Sequence, residues 1–452
     1  MTDTKGAFGQ TLSRRRLLGM GALAGIGVAS SGLAACGGGS SGGPGGGAGG
    51  GGGGGGGQQG GAVTWASWAN PGEAERFKQY SQDYQKRTGT KTTYQTVVGD
   101  YTAKLLTQLQ GGSAADAFYV GDTGMAKLQE SNNLVELTEF LGTPDGQKAS
   151  GTFPGLVDWT KSKDGGIYGV CVDCNPMVFW FNKGLLEQAG VTTDPAAAFE
   201  GGTWTRDALD DLLTKVKATG KRGYVHMASY GDLFGLVTAL GGTMIEDNKA
   251  VFDEDPKAQE IIGWLFDSIA NGNISYGGSL PKGQSSDALF LAGQLATTHQ
   301  GRWILPNLKK IKNIQYDIAP YPSEDGKTIG PIIVFTAAMS VNAKAKDPEV
   351  AKKFLADFVS VDGQRFRLSG GGNAVPSVAG LDEVVTEGDL PAHGKWFIDI
   401  AKAGYAIPTL LARNATLAVN WETDADKLMK TPGMDATTFS QTMAKKLNDG
   451  AA

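Results

Sequence analysis

From Ala62 onward, short apolar runs alternate with longer stretches whose apolar residues recur every three or four positions, the pattern of strands followed by amphipathic helices. Ala62 to Ala66 (AVTWA) reads as a first strand. Asn70-Pro71-Gly72-Glu73 then supplies a capping side chain, a proline suited to the first helical position and an early acid. Ala74, Phe77, Tyr80 or Ser81, and Tyr84 fall on one face of the helix that follows, and Gly89 sits where a C-terminal cap glycine belongs. The unit repeats: Asp100 caps a helix striped by Tyr101, Leu105 and Leu109, Gly111-Gly112 ends it, and Ala115 to Val120 forms another strand. This alternation predicts an α/β fold.

Ile167 to Asn182 (IYGVCVDCNPMVFWFN) is β-rich without a polar face, as expected of a strand buried between helical layers. Thr205 caps a helix with Leu209, Leu212, Leu213 and Val216 inward, Asp255-Pro256 opens another, and Asp347-Pro348 a third that buries Val350, Ala351, Phe354 and Phe358. The tail from residue 380 adds further helix. Three tryptophans read as structural: Trp204 ahead of the Thr205 cap, Trp264 on the face of Ile261 and Leu265, and Trp180 in the buried run.

Composition divides the chain. Of its 69 glycines, 19 fall in residues 37–61, a segment with nothing apolar larger than alanine, so it cannot bury a core and should be a flexible tether of about 25 to 30 Å r.m.s.. Ahead of it, Ser13-Arg14-Arg15-Arg16 precedes a Gly-diluted apolar run and then Leu33-Ala34-Ala35-Cys36, an arrangement expected of an export signal over residues 1–35. The pair Arg14 and Arg15 resembles a twin-arginine signal, and the last four residues resemble a bacterial lipobox in which Cys36 carries the lipid anchor and residues 36–61 form the tether. Without residues 1–35 the net charge falls from -5 to about -8, which argues against a nucleic-acid partner. The remaining length suits two domains.

Enzymatic signatures are missing from the sequence. His226, His299 and His393 show no metal-ligand spacing, and neither a Gly-x-Ser-x-Gly nucleophile turn nor a phosphate loop occurs in the body, so no cofactor and no metal are expected. Cys171 and Cys174, three apart in an extended run, should point to opposite faces about 10 Å apart as structural thiols, the alternatives being a disulfide across a local turn and a metal or redox pair.

The sequence does have aromatics beside short polar acceptors at strand ends. A pyranose presents C–H faces that Trp and Tyr rings cover, and hydroxyl edges that Asp and Asn take in fixed directions. The candidates are Trp65, Trp68, Asp122, Asp173, Asn175, Tyr230, Asp232 and Trp303, most of them where strands run into loops. Asp122 also has a plain alternative as a cap for the helix bearing Met125 and Leu128.

Residues 62 to 430 resemble the family 1 extracellular solute-binding proteins, the maltose-binding-like sugar receptors of ABC importers. The likeness rests on the order and spacing of GSAADAFYVGD, LVELTEF, GGIYGVCVDCNPMVFWFNKGLLEQAGV, TWTRDALDDLL, ALGGTMIEDN, LFLAGQLATTHQGRW, YDIAPYP, IIVFTAAMSVNAKAKDPEVAKKFLADFV and GNAVPS. Cys171 stands where that family commonly has proline. The resemblance implies two lobes, residues 62–171 with 335–375 and residues 176–330 with 380–452, closing as a monomer on a sugar that a membrane permease then receives. It also implies that Asp122 follows the third strand as a polar ligand, that Asp173 and Asn175 act from the linking strand, and that Trp303 stacks. Tyr230 and Asp232 match less tightly, and Trp421 corresponds only loosely to a C-terminal stacking aromatic. Two other readings are a non-sugar solute such as a polyamine or peptide, and an anchored carbohydrate-active enzyme using Asp173 and Asp232.

Overall fold

A computed structural model describes residues 61–451 apart from 70, 150, 154 and 283. The export signal with Arg14 and Arg15, the lipobox Cys36, the tether and the Asn70 cap lie outside the described residues. The strands are β1 (Ala62–Ser67), β2 (Lys91–Thr96), β3 (Ala117–Gly121), β4 (Val170–Pro176), β5 (Val178–Asn182), β6 (Tyr224–His226), β7 (Ile245–Glu246), β8 (Lys249–Ala250), β9 (Ile274–Tyr276), β10 (Thr297–Gln300), β11 (Tyr316–Ala319) and β12 (Val334–Val341).

A five-stranded sheet has the order β2-β1-β3-β12-β4, parallel among its first three strands and antiparallel at β12. Helices fall between its strands because local chemistry starts and stops them. Asp100 accepts from the Ala103 amide ahead of helix Tyr101–Gln110, Gly89 takes φ 73 after helix Pro71–Thr88, and Phe77, Tyr80, Ser81 and Tyr84 form the buried face expected of that helix. A second sheet, β10-β5-β11, is antiparallel throughout, and a bridge between Arg222 and Leu295 sets the parallel pair β6 and β9 beside it. Thr205, Asp255 and Asp347 cap their helices as the sequence indicates.

The β-rich run is corrected from one strand to two. At Met177 the chain leaves the first sheet and enters the second, so β4 and β5 belong to different sheets. Pro176 cannot donate to a further rung of the ladder, and the Met177 amide is taken by the Ile333 carbonyl at 3.2 Å. Just before the change, β4 carries one extra residue, Val172, opposite the Ala337–Ala338 step of β12, a bulge that redirects the strand. Val375 exchanges backbone hydrogen bonds with Cys174 at 2.8 and 2.9 Å, so a third passage of chain lies against the same place.

Cys171 and Cys174 are both buried and unbridged. Their thiols donate to the carbonyls of Asp173 and Pro376, and burial pushes the Cys171 thiol up to about 12. Neither should react with a thiol-specific disulfide reagent under native conditions, and both should titrate once denaturant exposes them; native labelling of either would show that this passage opens to solvent.

Candidate functional site

Where the chain changes sheets, the structure encloses a cleft of about 780 Å³, a volume suited to a small oligosaccharide. One wall is Gln300 at the end of β10 and Trp303 in the single turn Arg302–Ile304. Met177 and Phe335, at the two sheet changes, form its floor. Ser229 and Asp232 enter from the N-terminus of helix Tyr230–Ala239, where the Ser229 hydroxyl caps the Asp232 amide at 3.1 Å. Glu422, Thr423 and Asp426 come from helix Ala415–Met429, and Asp287 from helix Ser286–Leu291.

Trp303 is fixed rather than free. Its indole N–H donates to Gln300 Oε1 at 3.0 Å, whose amide donates on to Ser286 Oγ at 2.8 Å, and its ring lies 6.2 Å from that of Phe335. The turn that presents it is held by Asn175, whose side-chain oxygen accepts from the Arg302 amide at 3.0 Å, and by buried Arg302, which donates to the carbonyls of Ala374 and Val384. Gly301 is required here, since a Cβ would come 2.2 Å from the Trp303 ring and 2.9 Å from Asn175.

Asp232 accepts from the Met227 amide at 3.1 Å and pairs with His299 Nδ1 at 3.2 Å. Burial holds His299 below its ordinary range, opposed by that carboxylate and by a backbone hydrogen bond at Met177. Burial, then the charge of Asp232, raises the Glu422 carboxyl. Against the effect of its partial burial, Asp426 is held low by Lys430 at 2.8 Å and by the Tyr276 hydroxyl.

The eight sequence candidates separate. Asp232 and Trp303 line the cleft, and Tyr230 and Asp122 adjoin it. The Tyr230 hydroxyl donates to Asp122 Oδ2 at 2.6 Å, joining the end of β3 in the first sheet to the helix after β6, while the Tyr230 ring lies 5.7 Å from Phe335. Burial raises the Asp122 carboxyl, and the hydrogen bond from Tyr230 opposes that rise. The cap of helix Met125–Glu130 is Gly124, so capping does not explain Asp122. Asn175 reaches the cleft only through the Arg302 turn. Trp68 is half-buried edge-on against Tyr101 and Tyr119 and is not part of the lining.

Two candidates are corrected outright. Trp65 is 0% exposed inside the first sheet's core, because inward alternation along β1 points its side chain into the helical layer. Asp173 faces Arg367, which binds its Oδ2 at 3.1 Å away from the cleft lining. Trp421, the loose correspondence, is likewise packed against Phe234 and Phe252. Phe335, Gln300, Glu422 and Asp287 were missed. The first two lie inside IIVFTAAMS and ATTHQGRW and were legible as neighbours of chosen residues; Glu422 and Asp287 carry no local signal beyond a polar helix position.

Another cavity, of about 700 Å³, lies at the far end of helix Tyr230–Ala239. It holds one carboxylate, Asp158, no tryptophan and none of the eight candidates, so the first cleft is the better site.

The fold and the cleft define a two-lobed binding protein, and sequence comparison gives its family. Residues 79–392 match the family described as Bacterial extracellular solute-binding protein, and the chain belongs to it. Members are extracellular binding proteins, and among the described residues no helix is long and apolar enough to cross a membrane. No curated protein sequence matches the chain. Among solved structures, an ABC substrate-binding protein of Listeria monocytogenes in complex with cycloalternan superposes with TM-score 0.74 at 19% identity, covering 86% of this chain and 98% of that one. The GacH receptor of Streptomyces glaucescens, determined unliganded and with acarbose, gives 0.71 at 18% over 86% and 99%. A maltotriose-binding protein of Thermus thermophilus with maltotriose gives 0.67 at 16% over 86% and 100%. At such identities these structures bear on the fold, the two-lobe α/β arrangement of periplasmic binding proteins.

Proposed function

We propose that this chain is the substrate-binding lipoprotein of an ABC importer, capturing a sugar or oligosaccharide between two lobes and delivering it to a membrane permease. The observation that carries the reading is the cleft itself: Trp303 and Phe335 offer aromatic faces, while Asp232, Gln300, Ser229 and Glu422 supply edge-on polar groups around about 780 Å³. The sugars bound by the fold neighbours support it. Lobe boundaries follow the sequence reading, residues 62–171 with 335–375 and residues 176–330 with 380–452, and the change of sheet at Met177 supports a crossing near the first of them. On that division the hydrogen bond from Tyr230 to Asp122 spans the two lobes, a contact that hinge opening would break. Anchoring through Cys36, export by Arg14 and Arg15, and a monomeric state complete the proposal.

No bond is made or broken in this reading. The enzyme alternative needs Asp173 opposite Asp232, and Asp173 is tied to Arg367 outside the lining.

A thermal-shift screen against mono- and oligosaccharides tests the proposal, since a ligand at 100 times its Kd adds about 2.7 kcal/mol of stability. With the sugar so found, Trp303→Ala should weaken binding by about 1 to 3 kcal/mol in calorimetry as the stacking face is lost. Unchanged affinity would remove Trp303 from the site, and a screen answered only by peptides or polyamines would remove sugar from the function.

A further inference from the structure

The cleft is lopsided in charge and in hydrogen bonding. Its lining includes Asp232, Asp287, Glu422 and Asp426, and among the described residues lining it there is no Lys or Arg. Lys430 offsets only Asp426. Glu422 and Asp232 face the same space without a cation between them, and the charge of Asp232 adds to burial in disfavouring ionisation of Glu422. The Trp303 N–H is given to Gln300, and one N–H of the Gln300 amide to Ser286.

A separate observation concerns His299, which lines the cleft at 2% exposure. Its Nδ1 pairs with Asp232, and its buried Nε2 has no hydrogen-bond partner. A buried acceptor left unpaired is costly, and a ligand donor would relieve it. Carboxylates without a facing cation and an unpartnered imidazole nitrogen together call for a ligand rich in donors. A hydroxyl both gives and accepts, whereas an ammonium gives three hydrogen bonds, accepts none and brings the missing charge. The Trp303 face adds cation–π attraction at the same place.

Resting on the sugar-receptor reading, we propose that the ligand is a saccharide bearing at least one protonated amine, seated between Asp232 and Glu422 beside Trp303. The amine separates this ligand from the neutral sugars of similar size, and the aromatic wall separates it from a bare polyamine.

Calorimetry on the purified full chain with matched probes tests this: glucosamine against glucose, the β-1,4 glucosamine tetramer against its N-acetylated form and against cellotetraose, kanamycin against maltotriose, and spermidine. The amine-bearing member of at least one set should bind about tenfold or more tightly than its neutral partner, the worth of one charge-assisted hydrogen bond. Glu422→Gln, at an exposed helix position, should remove most of that ratio and leave the melting temperature unchanged. Neutral sugars binding as well as amines, or a ratio that survives the substitution, would overturn the amine and leave the receptor standing. Spermidine binding with no saccharide bound would overturn the receptor reading as well, and no binding by any amine-bearing probe would overturn the inference.

Discussion

Arg367→Met should lower the folding free energy by about 3 to 5 kcal/mol in urea denaturation, the cost of leaving a buried charge without its partner. Arg367, in helix Val361–Leu368, is 2% exposed, with its guanidinium 4.0 Å from the Phe358 ring centroid. It binds Asp173 Oδ2 at 3.1 Å, the Val172 carbonyl at 2.6 Å and the Phe358 carbonyl at 3.3 Å. Methionine keeps the volume and the contact with Phe358 but strands one carboxylate and two carbonyls. Burial already raises the Asp173 carboxyl, with Arg367 as the opposing influence, so removing Arg367 drives it further toward the neutral acid. The double variant Arg367→Met, Asp173→Asn should therefore recover part of the loss. This pair pins the Val172 bulge where β4 leaves the first sheet, so the single variant should also loosen the passage between lobes. A loss below about 1 kcal/mol would mean that water reaches Asp173 and that the passage is already open.

Much of the fold was legible because helix ends are local chemistry. Asp100, Thr205, Asp255 and Asp347 each find a backbone amide three residues on, a geometry that any short segment encodes by itself. The division of Ile167 to Asn182 was not, because both halves are buried strands with the same composition, and only the partners, β12 for one and β10 with β11 for the other, tell them apart. The site has the same limit. Trp303 and Trp65 both lie near strand ends beside polar residues, and nothing within five positions of either separates a stacking ring from a core ring. What separates them is the far side of the fold: Trp303 faces Phe335, which adjoins a second sheet change, whereas Trp65 meets helices from residues 71–88 and 348–359. Glu422 is the extreme case, turned to the cleft beside a buried Trp421 on a helix that the sequence does not tie to strands more than a hundred residues earlier.

Trp65→Ala turns that distinction into a measurement. The ring sits among Phe77, Tyr94, Tyr119, Phe354 and Phe358 with centroids 4.4 to 6.2 Å away, and its N–H donates to Ser81 Oγ at 2.9 Å. Removing it leaves a cavity that five packed rings on two helices and two strands cannot collapse to fill, and leaves the Ser81 hydroxyl with only its own donation to the Phe77 carbonyl. The expected loss is about 3 to 5 kcal/mol of stability, at the level seen for buried aromatic truncations. Sugar affinity of the fraction that remains folded should not change, because Trp65 does not line the cleft. Trp303→Ala should do the reverse, costing affinity while leaving stability nearly intact, since its ring is only half-buried. Parallel denaturation and calorimetry on the two variants thus form a crossed test. If Trp65→Ala weakened binding as much as it weakened folding, the first sheet's core would be coupled to the cleft, and a rigid lobe closing about a hinge would no longer describe this protein.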